Sequence, residues 1–334
     1  MSPDLILSPA PKLPPAPLFT PTPEAAKRVV EFFTARVPND HTRRAYWMAA
    51  RRFSAWCEAR GIARLDAVEP FHVAAFLKEM EGSSSPPTVK QHLSALRRLF
   101  DWLVVGQVLK ANPAHAVRGP RYVVGKGKTP VLTGEEARRL LHSIETVRTR
   151  KHPDGSECEE PSLIDLRDRA LIGVMVYAFA RIGAALKMQV RDYFIQGRRG
   201  WVRLHEKGGR EHQVPCHHNL EGYLDAYLEA GGIGGDAEGP LFRTVAGRSG
   251  SLTGRPLWQQ DAYRMIQRRA RAAGIGTRVN NHTFRATGIT AYLKNRGTLE
   301  VAQQIAGHAS PRTTKLYDRR QEEITLDEVE RIAI

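Results

Sequence analysis

The chain has 334 residues, a formal net charge of +15 and a pI of about 10.0. This length favours two domains, and the excess of positive charge predicts a polyanionic partner, of which nucleic acid is the commonest. Without a long apolar run, a signal-peptide pattern or a disulfide framework among its three scattered cysteines, the sequence predicts a cytoplasmic protein that has no membrane partner.

The first predicted unit is a small helical bundle. Residues 1–22 are rich in proline, which disfavours helix, so we expect an extended or disordered tail there. Thr22-Pro23-Glu24 then combines a cap residue, a proline and an acid, which predicts a helix start. Apolar residues at helical spacing predict further helices at about 40–60, 70–80 and 88–104. The stripe of the last one is Val89, Leu93, Leu96, Phe100 and Leu103.

Basic residues crowd the polar faces of this bundle, which we assign to residues 23–117. Two interpretations stay open from the pattern alone: a domain that clasps DNA, or a plain bundle with a solvated basic face. The basic residues are Arg43, Arg44, Arg51, Arg52, Lys90, Arg97 and Arg98.

A basic segment with glycine and proline, residues 118–130, is predicted as a linker. The second unit, residues 131–334, opens with the capping box Thr133-Gly-Glu-Glu136. The polar residues 145–161 are predicted as a surface loop. An apolar helix is predicted at 163–180, with Arg181 at its end.

The pattern changes to a period of two around Gly208-Gly209-Arg210, which predicts a β-hairpin over about 201–215. Helices are predicted at about 219–230, 259–273, 284–295 and 299–307, followed by a short helix from Pro311 that carries Tyr317. A second capping box at 325–328 predicts a last helix. Its apolar side either packs on its own domain or docks into a neighbouring subunit. The second unit is therefore predicted to be mainly α with a small antiparallel β-sheet.

Six residues of this unit have side chains suited to phosphoryl transfer. Arginine grips phosphate in bidentate fashion, a tyrosine hydroxyl can attack phosphorus, and histidine and lysine can move protons. His282 and Arg285 are three residues apart, so on the first turn of a helix their side chains lie on the same face. Cys216-His217-His218 is not predicted to bind metal, because adjacent residues rarely converge on one ion. The six residues, in chain order, are Arg181, Lys207, His282, Arg285, His308 and Tyr317.

This order resembles the tyrosine recombinase (phage integrase) family over roughly residues 23–330. The local contexts Asn280-Asn-His-Thr-Phe-Arg-Ala-Thr-Gly and Ala306-Gly-His-Ala-Ser carry the resemblance. Of the rival tyrosines, Tyr263 precedes the His-x-x-Arg box, against the family order, and Tyr292 has the spacing of a core residue. The resemblance implies an Xer-like architecture: an N-terminal helical, SAM-like core-binding domain, a linker that crosses DNA phosphates, and a C-terminal catalytic domain.

The resemblance also implies the activity, which is site-specific DNA cleavage and rejoining through a 3′-phosphotyrosyl intermediate, without metal, ATP or another cofactor. In these roles Arg181 and Arg285 neutralise the scissile phosphate and Tyr317 attacks it. His282 is the general base, Lys207 is the general acid, and His308 bonds a non-bridging oxygen.

The implied partners are double-stranded DNA and further copies of the chain, as a tetramer on two DNA sites near the nucleoid. The need for accessory proteins, the target sequence and the kind of mobile or chromosomal substrate stay open. Two other functions are kept as alternatives: a type IB-like topoisomerase and a non-catalytic DNA-binding protein.

One position departs from the family pattern. Three residues after Arg181 the family usually carries a Glu, and this chain has Ala184. That acid helps to orient groups of the active site, so its absence raises the question of how the pocket around Arg181 is held. We expect activity to survive the change.

Overall fold

The computed structural model describes residues 16–122, 127–151, 156–206, 209–247 and 250–319. It divides the chain into two compact units, Met1–Val124 and Gly125–Ile334. Each unit has its own hydrophobic core. Helices dominate both units and the strands form small antiparallel sheets, so the predicted fold class is confirmed.

The described residues of the N-terminal unit form four α-helices: α1 (Pro23–Glu31), α2 (Asp40–Glu58), α3 (Pro70–Glu81) and α4 (Pro86–Val105). The predicted helix start is confirmed, because the Thr22 hydroxyl accepts a hydrogen bond from the Ala25 N–H at 3.2 Å. The predicted stripe of α4 is fully buried. Phe53 of α2 packs with its ring 5.2 Å from Phe76 and 6.0 Å from Phe100. Large aromatic surfaces therefore join three of the helices.

The predicted tail is wrong for residues 16–19. Pro17–Phe19 forms a 3₁₀ turn, and Leu18 and Phe19 are buried in the bundle core. The Leu18 N–H donates to the Ser54 hydroxyl at 3.2 Å, and the Phe19 ring lies 5.6 Å from Phe100. Proline suits the first position of a helical turn, and burial of two large apolar side chains outweighs the ordering of the backbone. Residues 1–15 lie outside the described part of the chain.

The C-terminal unit holds the helices α5 (Gly134–His142), α6 (Leu163–Tyr177), α7 (Ile182–Ala185), α8 (His218–Gly231), α9 (Gln259–Ala272), α10 (Thr283–Lys294), α11 (Leu299–Ala306) and α12 (Pro311–Lys315). The predicted capping box at α5 is confirmed. Thr133 Oγ1 accepts from the Glu136 N–H at 3.0 Å, and Glu136 Oε2 accepts from the Thr133 N–H at 2.9 Å. The capping box and last helix predicted beyond residue 324 lie outside the described residues.

The described strands of this unit form three antiparallel sheets. The three-stranded sheet contains the predicted hairpin as its second and third strands, paired from Trp201 opposite Pro215 to His205 opposite Glu211. The first and third sheets, and the first strand of the three-stranded sheet, were not predicted. The strands are β1 (Val147–Lys151), β2 (Glu157–Pro161), β3 (Tyr193–Gln196), β4 (Arg199–His205), β5 (Glu211–Pro215), β6 (Arg243–Val245) and β7 (Leu252–Pro256).

The surface loop predicted at 145–161 is wrong, because β1 and β2 form a hairpin there. The strands lack the alternation of apolar and polar residues that usually reveals a hairpin. One pair of opposite charges lies across the strands, where Arg150 pairs with Glu160 at 3.3 Å. A second pair joins the hairpin to α6, where Arg148 pairs with the buried Asp165 at 2.6 Å. Cross-strand pairs of this kind stabilise a sheet as apolar pairs do, though less visibly in sequence.

Helix α10 lies against α6 at very short range. Gly288 makes this possible, because a Cβ atom there would fall onto the Val176 carbonyl oxygen and against the Phe179 ring. Gly288 lies three residues after Arg285, on the same face of α10. The close contact therefore sets the position of a candidate site residue.

We expect Gly288→Ala to destabilise the protein by about 1–3 kcal/mol, because the added methyl forces α10 away from α6. Gly222→Ala in α8 is the matched control, since its Cβ would meet no atom within 4 Å. Alanine is the better helix former, so the control should be neutral or stabilising. Chemical denaturation measures both; equal stabilities would contradict this account of the contact.

Candidate active site

The predicted residues come from the ends of separate helices. Arg181 is the cap residue before α7, and His282 is the cap residue before α10, whose first turn carries Arg285. His308 follows α11 and Tyr317 follows α12. Lys207, the sixth predicted residue, lies outside the described residues.

The turn between α6 and α7 positions two of these side chains. Helix α6 ends at Tyr177, three residues before the predicted end, because Phe179 has a left-handed backbone with φ of 50°. This conformation costs a non-glycine residue about 1–2 kcal/mol. It directs the Phe179 carbonyl toward the Arg285 guanidinium, which donates a hydrogen bond to it. Arg181 follows two residues later.

Arg285 is fully buried. Besides the bond to Phe179, its Nη2 donates to the Ala306 carbonyl at 2.7 Å. Burial foremost, and then the positive charge of Arg181, lower the pKa of Arg285 to about 10. Arg181 is the open member of the pair, with 38% of its side chain exposed. The two guanidinium groups thus form an inner and an outer cationic position suited to a phosphate.

Tyr317 and His282 are in direct contact. The Tyr317 hydroxyl lies 2.7 Å from His282 Nε2, and the tyrosine is 8% exposed. The His308 ring stacks on the Tyr317 ring, with centroids 5.7 Å apart and planes inclined by 11°. The Thr290 hydroxyl donates to the Tyr317 carbonyl at 3.1 Å, which holds its backbone on α10. A phenol hydroxyl and a ring nitrogen that could accept its proton are therefore in direct contact.

Both histidines favour the neutral form. Burial foremost, and then the charges of Arg285 and Arg181, lower the pKa of His282 to about 4 and that of His308 to about 3. A neutral His282 ring has a nitrogen lone pair that can accept the phenol proton. His308 Nδ1 lies 2.9 Å from the Thr314 hydroxyl. When that hydroxyl donates, His308 carries its proton on Nε2, where no described residue bonds it.

The structure therefore brings together Arg181, His282, Arg285, His308 and Tyr317. The rival Tyr292 packs against a small core, with its ring 6.1 Å from Phe179. Two neighbours of the site were missed from sequence: Thr314, which bonds His308, and Glu206, whose Oε2 lies 2.5 Å from Arg181 Nη1. Glu206 directly precedes Lys207, and the lack of an acid at position 184 was the signal that another acid was needed.

Among the described residues, no group of three or more His, Cys, Asp or Glu is arranged to hold a metal ion. No helix within the described ranges is long and apolar enough to cross a membrane.

We predict that the site makes the protein sensitive to acid. In an unfolded chain histidine binds a proton near a pKa of ~6.5, whereas folded His282 and His308 bind one only near 4 and 3. Between these values the unfolded state binds more protons, so stability falls as the pH falls from about 6.5. His308→Gln keeps an amide group that can bond the Thr314 hydroxyl but cannot titrate. Between pH 7 and pH 5 its melting temperature should fall less than that of wild type. Identical slopes would contradict the burial of a neutral His308.

Comparison with known proteins gives consistent matches for both units. Residues 130–323 match the model of the phage integrase family, and residues 32–106 match that of its N-terminal SAM-like domain. The chain is 27% identical over 282 residues to tyrosine recombinase XerD of Pseudomonas aeruginosa, covering 83% of this chain and 86% of that protein.

Two solved structures share the fold. One is the XerH site-specific recombinase bound to palindromic difH substrate in a post-cleavage complex, with a TM-score of 0.67, 19% identity and coverage of 92% of this chain and 87% of the other. The second is a lambda integrase tetramer bound to a Holliday junction, with a TM-score of 0.61, 18% identity and coverage of 90% and 80%. At sequence identities this low, the similarity to these two structures shows a shared fold and nothing more.

Proposed function

Because the chain belongs to the phage integrase family, we propose that it is a site-specific tyrosine recombinase that cleaves and rejoins double-stranded DNA. The observation that carries the proposal is the 2.7 Å contact between the Tyr317 hydroxyl and His282 Nε2, beside the guanidinium groups of Arg181 and Arg285. The sequence similarity to the tyrosine recombinase XerD supports it.

In the proposed cleavage step, the scissile phosphate enters beside the exposed Arg181, and both arginines neutralise its charge. Tyr317 attacks the phosphorus while His282 takes the phenol proton. The bond from phosphorus to the 5′-oxygen breaks and leaves a 3′-phosphotyrosyl link. Preorganised cationic donors of this kind are usually the largest contribution to such catalysis.

Two further residues complete the proposed mechanism. The leaving 5′-oxygen needs a proton, and the family resemblance assigns its delivery to Lys207. We infer that His308 donates from Nε2 to a non-bridging phosphate oxygen, because its Nδ1 lies 2.9 Å from the Thr314 hydroxyl and can accept from it. The phosphodiester energy is kept in the tyrosyl link, so rejoining by a 5′-hydroxyl needs no ATP, metal or other cofactor.

We propose that residues 23–117 clasp DNA as a core-binding domain, that residues 118–130 follow its phosphates, and that residues 131–334 catalyse. Four copies would act on two DNA sites, as in the tetramer of lambda integrase on a Holliday junction, in the cytoplasm at the nucleoid. The match to the SAM-like domain favours this function over a type IB-like topoisomerase. The placement of Tyr317 on His282 favours an enzyme over a non-catalytic DNA-binding protein.

We expect wild-type protein to form a covalent adduct with labelled, nicked DNA from the regions beside its gene, in EDTA. Tyr317→Phe should form no adduct but should bind the DNA with unchanged affinity, because the phenol oxygen is the nucleophile. Tyr263→Phe is the control and should react as wild type does. Denaturing gels measure the adduct, and an adduct with Tyr317→Phe would contradict the assignment.

We also expect each protomer to use its own tyrosine, because Tyr317 and His282 of one chain are already in contact. A mixture of Arg181→Ala and Tyr317→Phe proteins should form no more adduct than either alone. If the tyrosine were delivered from a neighbouring subunit, the mixture would recover adduct, since one variant supplies the tyrosine and the other the arginine pocket.

A further inference from the structure

The first turn of helix α7 has no acidic side chain that could bond its cap residue, Arg181. Arg181 is the cap residue of α7, and Ala184 occupies the third helical position, where its N–H donates to the Arg181 carbonyl at 2.9 Å. A Glu at this third position commonly reaches back to the cap residue. The methyl group of Ala184 is buried and offers no such contact.

A carboxylate from a different element touches the same arginine. Glu206 follows the last residue of β4, and its N–H donates to the Arg210 carbonyl at 2.7 Å across the hairpin end. Its side chain is 5% exposed. Glu206 Oε2 lies 2.5 Å from Arg181 Nη1, and Oε1 lies 3.8 Å from Arg285 Nη1. One buried carboxylate therefore lies against both guanidinium groups.

The electrostatics of the pocket require such a group. The positive charge of Arg181 acts on the buried Arg285 guanidinium and lowers its pKa, and the charge of Glu206 opposes that fall. A guanidinium has five N–H donors. Among the described residues, the hydrogen bond to Glu206 engages Nη1 of Arg181 and no other donor of that guanidinium. The remaining donors of Arg181 are left for a phosphate.

We propose that Glu206 is the positioning residue of this arginine pair: from the end of β4 it supplies the carboxylate that the chain lacks at position 184. It holds Arg181, and through the shared carboxylate Arg285, in the geometry that the scissile phosphate needs. This inference rests on the proposed recombinase function. It extends that function to a residue outside the six that the family pattern identifies.

The test measures three quantities for each variant on the DNA captured by the wild-type adduct: the single-turnover rate of adduct formation, the affinity for that DNA, and the melting temperature. Glu206→Gln keeps the shape and removes the charge. It should slow adduct formation about 100-fold, as expected for a displaced catalytic group, while affinity stays near wild type and the melting temperature falls, because the buried Arg285 loses the charge that opposes its own. Glu211→Gln is the matched control, because this exposed acid of β5 pairs with His205 and not with the arginines.

Rescue separates positioning from a general structural role. In the Glu206→Gln background, Ala184→Glu returns an acid to the first turn of α7. The double variant should form the adduct at least about tenfold faster than Glu206→Gln alone. Glu206→Asp keeps the charge on a shorter side chain. Its rate of adduct formation should lie between those of wild type and Glu206→Gln. The Asp variant tests the charge even if the double variant does not fold.

Several results would overturn the inference. A wild-type rate in Glu206→Gln would show that the carboxylate is dispensable, and a faster rate would show that it competes with the phosphate. A joint loss of rate, affinity and melting temperature in Glu206→Gln and in Glu206→Asp would show a structural role only. Absence of adduct with wild-type protein would instead contradict the proposed function, and this inference with it.

Discussion

The burial of a charged guanidinium, that of Arg285, is the constraint on which the rest of the site depends. Such a group is expensive to remove from water unless its donors are bonded and its charge is opposed. Carbonyl groups of Phe179 and Ala306 accept its hydrogen bonds, and Glu206 opposes its charge. These partners belong to the α6–α7 turn, the end of α11 and the end of β4. The partners of one buried side chain therefore tie three segments of the chain to α10.

The same buried charge sets the chemistry of its neighbours. His282 and His308 are largely buried and lie close to the arginine pair, so burial foremost, and then the arginine charges, lower the pKa of both rings. Both remain neutral where an ordinary histidine would begin to charge, and this gives His282 the lone pair that a general base needs. The positive potential that suppresses histidine protonation is also the one that attracts a phosphate. Binding and proton transfer thus follow from one electrostatic arrangement.

Much of the fold could be predicted because its signals are local. The stripe of α4, the caps at Thr22 and Thr133, and the hairpin of β4 and β5 each depend on side-chain spacing or on contacts within a few residues. Signals that depend on distant partners were missed. Leu18 and Phe19 are buried by helices far along the chain, and β1 and β2 are paired by charges without an apolar pattern.

The candidate site shows the same division. The order of the residue types predicted which side chains to examine, but the spacing could not show that Phe179 would turn its carbonyl toward Arg285. It also could not show that an acid 22 positions after Ala184 would reach the same arginine. Contacts between helix ends and strand ends depend on the packing of whole elements, for which a single sequence carries no local signal. The position of Lys207 stays a prediction.

The central claim is that Tyr317 becomes bonded to DNA in the pocket formed by Arg181 and Arg285. Its most direct test is mass spectrometry of the covalent adduct after nuclease and trypsin digestion. The account predicts a nucleotide linked through its 3′-phosphate to Tyr317, in the tryptic peptide of residues 316–319. A nucleotide on Tyr263, Tyr292 or a serine would contradict it.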